Sequence, residues 1–194
     1  IVLLVRFLER RRKKKGMAEM EYKEIEEKAN ELLSIYNMPE KQGVDVIRLA
    51  QKLGFKVGQI ELPDNQDGFI ISNNNDDDVE GLSSNKIIGV NANRAPEEKL
   101  FIIAHELGHY ILREDQGAPI YAHREHEHGR PERENKIDYF AACLLMPKES
   151  FLKEYQYAKY LFGDEEDKIV DRLVKIFNVP TESLIRRMKE TGVK

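Results

Sequence analysis

The chain of 194 residues has one cysteine, Cys143, and no tryptophan. A single cysteine excludes a disulfide framework and any zinc cage built from several thiolates, and it points to a reducing compartment. Core aromatic volume must come from eight Phe and eight Tyr. No run of eighteen apolar residues occurs, so no membrane-spanning helix is expected. The expected location is cytoplasmic, with no membrane partner. Hydrophobic residues make up 41% of the chain, too many for a wholly disordered protein. The length suits one domain with a real core and scarcely two.

Charge is placed unevenly. Residues 1–16 carry Arg6, Arg10, Arg11, Arg12, Lys13, Lys14 and Lys15 against Glu9, a net of +6. The whole chain stands at −4, so the part from Met17 onward is at −10. An acidic body argues against a nucleic-acid face built on phosphate contacts. The apolar run Ile1–Leu8 before the basic run has the reverse order of a secretory signal. Residues 1–16 are therefore read as a non-native or disordered basic leader, with Met17 as the start. A basic amphipathic anchor is the competing reading.

Residues 18–36 space Ile25, Ala29, Leu32 and Leu33 as an amphipathic helix. Pro39 and Gly43 break it. Val44–Leu53 reads as a second helix, with Gly54 placed to cap it. Three β-like runs follow at Phe55–Ile60, Gly68–Ser72 and Lys86–Asn91. The stretch Asn73–Asn85 reads as a solvated loop. Pro96, Glu97 and Glu98 suit the first turn of a helix over Ala95–Leu112. Residues 113–131 read as a polar loop. Glu132–Leu145 predicts a helix that stops at Met146-Pro147. Helices over roughly 148–160, 165–177 and 181–190 close the chain. The pattern predicts an α+β fold, mainly helical, with a small three-stranded sheet and a C-terminal helical region.

The chemistry centres on His105-Glu106-Leu107-Gly108-His109, an H-E-x-x-H pattern. Residues four apart on a helix differ by about 40° in direction and about 6 Å in rise, so both imidazoles reach one metal ion. Glu106 lies about 60° round from His109, beside such an ion rather than on it, where it can take a proton from water. The apolar run Leu100–Ala104 anchors the helix. A catalytic zinc needs a third protein ligand. Asp115 lies ten residues after His105, but the sharp turn it needs calls for glycine where Leu112 stands. His123, His126 and His128 lie in a polar loop without rigid support. Glu134 is the best candidate. It opens a helix on which Asp138 follows one turn later, on the same face. Asp138 can accept the free N–H of a zinc-bound histidine and fix its tautomer.

Two blocks in this order, His105–His109 and then Glu134–Pro147 (Glu-Asn-Lys-Ile-Asp-Tyr-Phe-Ala-Ala-Cys-Leu-Leu-Met-Pro), resemble the ImmA/IrrE family of zinc metallopeptidases. The similarity covers roughly residues 40–150. It implies a zincin-like fold, a zinc ion on His105, His109 and Glu134, and Glu106 as the catalytic base. Members typically have Ala-Asn where this chain has Ile137-Asp138. Asp138 instead resembles the E-x-x-x-D pattern of thermolysin-like gluzincins. The resemblance also implies a partner: a helix-turn-helix repressor of a mobile element or phage, cleaved or antagonised.

The expected organisation is a leader over 1–16, a metallopeptidase domain over 17–160 and a helical region packed on it over 161–194. The expected function is zinc-dependent endopeptidase action on such a repressor. A non-catalytic zinc module that regulates a repressor by contact is one alternative. A DNA-binding regulator is another, since Ile169–Phe177 and Thr181–Met188 have helix-turn-helix-like spacing with Arg186, Arg187 and Lys189 basic. The acids among them favour packing or partner recognition over DNA. Gly68–Ser72 is the expected sheet edge for a substrate strand. Tyr121, Tyr139 and the loop histidines are candidate donors to the transition state.

Overall fold

The computed structural model describes residues 21–38, 43–72, 86–113, 120–125 and 132–193. The leader, Asp115, His126 and His128 lie outside them. The described elements run α1 (Tyr22–Ile35), α2 (Val46–Lys52), β1 (Lys56–Ile60), β2 (Gln66–Ser72) and β3 (Lys86–Asn91). They continue with α3 (Pro96–Ile111), β4 (Ile120–Glu125), α4 (Glu132–Leu145), α5 (Lys148–Phe162), α6 (Glu166–Phe177) and α7 (Thr181–Thr191). The architecture is α+β and mainly helical, as the periodicities predict.

The three predicted strands are joined by a fourth, β4, inside the stretch expected to be a polar loop. The sheet order is β1-β3-β2-β4. β1 runs parallel to β3, and β2 runs antiparallel to both β3 and β4. Gly68–Ser72 is therefore not an edge, which corrects the sequence reading. It pairs with Val90–Lys86 on one side and with Arg124–Ile120 on the other. Among the described strands the edges are β1 and β4.

One face of the sheet packs on α3. The alternation of β2 sends Gly68, Ile70 and Ser72 into the interior, where Ile88 and Val90 of β3 join them. Gly68 is required by close approach. A Cβ there would lie 2.5 Å from Ile102 Cγ2 and 2.8 Å from the Gly89 carbonyl oxygen. Pro96 starts α3, and the Glu98 carboxylate accepts the Ala95 N–H at 2.9 Å. From Phe101 to His109 every residue of α3 is buried, so this helix is the central rod of the fold. Each large apolar side chain buried here contributes about 1.5–3 kcal/mol.

α4 crosses α3 at Gly108. A Cβ on Gly108 would meet Ile137 Cγ2 at 2.9 Å and Phe140 Cδ1 at 3.2 Å. The absence of a side chain between the two histidines thus sets how closely the two helices approach. Gly108→Val is expected to force them apart at a typical overpacking cost of about 1–3 kcal/mol. A melt should show it as a drop on the order of 5 °C, together with weaker metal binding. An unchanged melting temperature would mean that the helix crossing has slack. α1 covers the far side of α4 with Ile25, Ala29, Leu32 and Leu33, and Tyr22 packs edge-on against Tyr139 with ring centroids 4.8 Å apart.

Candidate metal centre

The crossing of α3 and α4 brings three donor side chains together. His105 Nε2 lies 3.3 Å and His109 Nε2 3.6 Å from Glu134 Oε2. The potential ligand atoms of the three residues all fall within 4.8 Å of one another. The imidazoles are buried, and Glu134 is 27% exposed, so the carboxylate forms the mouth. His105 and His109 face each other edge to face because they sit one turn apart on the same side of α3.

Behind this trio, Asp138 Oδ1 lies 2.8 Å from His105 Nδ1. With Nδ1–H donating to that carboxylate, the neutral ring turns its Nε2 lone pair toward Glu134. Two acceptors facing each other across 3.3 Å are favourable only with a positive charge between them. Both ring nitrogens of His109 are buried with no hydrogen-bond partner among the described residues. A lone proton cannot serve three converging groups, whereas a cation can. Two donors on one four-coordinate zinc, with bonds of about 2.0–2.1 Å, stand about 3.4 Å apart, close to the spacing here. The residues fit a divalent transition metal.

The protonation states agree. Burial, then the neighbouring His105, pushes His109 down from the usual imidazole range to about 3. A proton in the metal's place, bonding His105 to Glu134, holds the Glu134 carboxyl below the usual carboxylate range, against the opposing effect of burial. At neutral pH the ring is neutral and the carboxylate ionised, which is the state that metal ligation requires.

Glu106 is fully buried on the stripe of α3 that faces β2, where the missing Gly68 Cβ would lie 3.7 Å from its Oε1. The carboxylate therefore lies within ordinary contact distance of β2 at Gly68. Tyr139, one of the expected transition-state donors, does not reach the centre. One residue on from Asp138, it points about 100° round the helix, onto Tyr22. Burial pushes its phenol above the usual range. Tyr121 and His123 lie in β4, at the register positions of Ile71 and Phe69.

Sequence reasoning missed Arg186. Its Nη2 donates to the Asn135 carbonyl at 3.4 Å, and its Nη1 is 3.9 Å from Asp138 Oδ2. It thereby ties α7 to the turn of α4 between Glu134 and Asp138. Its pairing with Glu190 four residues on, at 3.0 Å, is legible in the sequence. The contact 48 residues back in the chain is not. Arg187 is buried against α1 and α4, which removes it from any nucleic-acid face.

Residues 39–189 match a peptidase family described as the IrrE N-terminal-like domain. No curated protein matches the chain. Among solved structures, a Mycobacterium tuberculosis transcriptional regulator superposes with a TM-score of 0.50 at 18% identity. The match covers 86% of this chain and 46% of that one, so the chain spans less than half of that regulator's length. At this identity the likeness shows the fold alone.

Proposed function

The chain belongs to the IrrE N-terminal-like family of peptidases, and from that premise we propose that it is a zinc-dependent endopeptidase. Its proposed substrate is a helix-turn-helix repressor of a mobile element or phage, a partner that rests on the family resemblance. The observation that carries the catalytic reading is the convergence of His105, His109 and Glu134 within 4.8 Å, with Asp138 bonded behind His105. These three side chains would hold the zinc ion, which when bound supplies Lewis acidity toward a scissile carbonyl and toward water.

Asp138 holds His105 as the tautomer whose Nε2 faces the donors. Arg186 stands behind Asp138 at 3.9 Å and reaches the Asn135 carbonyl, a modest contact that joins α7 to the turn of α4 carrying Glu134. Glu106 takes a proton from the attacking water and passes it to the leaving amine. The buried walls around it exclude bulk water from the proton's path. The substrate backbone is assigned to the outer edge of β4, the sheet edge that packs against the motif helix.

The metal content tests the ligand assignment. Wild-type protein is expected to carry about one zinc per chain. Glu134→Gln should bind it more weakly by at least the roughly 10–100-fold seen when a residue behind a ligand is changed. Equal, full zinc in both proteins, measured by mass spectrometry, would remove Glu134 from the ligand set.

A further inference from the structure

A hollow of about 140 Å³ opens where α3, the start of β2 and the first turn of α7 meet. That is close to the size of a cavity that holds a benzene-sized group, so it suits one side chain. Phe101, Ile102 and Pro180 provide apolar wall, and Glu98 and Glu182 stand at it as carboxylates.

Both sides of the hollow run onto the metal centre. Glu98, Ile102 and Glu106 form one stripe of α3 at four-residue spacing, each step about 6 Å along the axis. Ile102 Cγ2 and Glu106 Oε1 both pack beside Gly68, 2.5 Å and 3.7 Å from where a Cβ would stand. On the other side, Glu182 precedes by one turn Arg186, which reaches Asp138 and the Asn135 carbonyl. Ile102, in the wall of the hollow, thus lies one turn of α3 from Glu106, so a polypeptide that follows this stripe from Glu106 reaches the hollow.

Charge selects the occupant. Arg94 also lines the hollow, but its guanidinium is committed to Asp67 at 2.8 Å and to the Asp64 carbonyl, so that pair cancels. Glu98 and Glu182 leave two negative charges. Glu98 also accepts the Ala95 N–H that caps α3, and the N-termini of α3 and α7 each oppose the pair with about half a positive charge, which still leaves an excess of negative charge. The balance favours a cation. The apolar wall favours a long aliphatic stem beneath it, the division that Lys and Arg side chains make.

We propose that this hollow is a specificity pocket that takes a Lys or Arg side chain of the protein substrate, within two residues of the cleaved bond. The reach follows from one helical turn of about 6 Å against about 3.3 Å per residue of an extended chain. The proposal rests on the peptidase reading above.

The test is cleavage-site profiling by mass spectrometry. The zinc-loaded protein is given a peptide library from a digested proteome, supplemented with peptides tiling the helix-turn-helix repressor. Wild type should cut with Lys or Arg enriched at one position within two residues of the bond. Glu182→Lys, a change at an exposed position, should lower the kcat/KM ratio of a Lys peptide to its Gln counterpart on the order of tenfold. Glu182→Gln should fall between. Binding of the same two peptides to the Glu106→Gln protein should show the same order without turnover. Cutting with no basic enrichment, or a Lys-to-Gln ratio unmoved by Glu182→Lys, overturns the pocket and leaves the peptidase reading standing. A fully zinc-loaded wild type that cuts none of the peptides overturns both.

Discussion

Glu106→Gln is expected to keep the fold and the zinc and to lose cleavage by roughly 10²–10⁴-fold, the usual worth of a positioned general base. Glu106 is not among the three converging donors, so an amide there leaves the ligand set intact. The amide is nearly isosteric with the carboxylate, so the space beside Gly68 stays filled. It cannot accept a proton at neutral pH. Zinc content and kcat/KM on the proposed repressor substrate are measured on the same preparation. Activity within tenfold of wild type at full zinc occupancy would place the base on another residue.

Arg187→Ala is expected to cost about 3 kcal/mol, the lower end for stranding the partner of a buried ion pair. Its side chain is 1% exposed and spans three elements. Nε–H donates to the Met146 carbonyl at 3.1 Å, Nη1–H to Cys143 Sγ at 3.2 Å and Nη2–H to Glu26 at 2.6 Å. Glu26 is 18% exposed, so it recovers part of its hydration when the guanidinium is gone. A drop of roughly 6–12 °C in melting temperature follows for a chain of this size. Glu26→Gln in the same background should add little, because the two residues share one interaction. A variant melting within about 2 °C of wild type would show that the α1–α4–α7 junction does not depend on this cation.

The centre was legible because its geometry is local. His105 and His109 are one turn apart, Glu134 and Asp138 are one turn apart, and apolar spacing gives both helices their direction. Glu132–Leu145 was readable to its ends, since Pro147 stops it and charge marks its start. What depends on neighbours across the sheet was not. Gly-Phe-Ile-Ile-Ser reads the same in an interior strand as at an edge, because periodicity says nothing about what pairs with it. The missed strand, Ile120–Glu125, contains His123, Arg124 and Glu125, which look like loop residues until β2 supplies a partner. Tyr139 stands next to Asp138 in sequence but faces another element. Arg186 and Arg187 are a plain basic pair on paper. A helix turns adjacent residues about 100° apart, so one supports Asp138 and the other is buried against Glu26.

The most direct measurement is the mass of the proposed substrate, a helix-turn-helix repressor, after incubation with the protein. The protein is first loaded with one equivalent of zinc, then tested again after chelation and after zinc is restored. The account predicts two fragments whose masses sum to the intact repressor plus one water, their loss on chelation and their return with zinc. An intact repressor bound by fully zinc-loaded wild type would contradict it and leave a module that acts by contact alone.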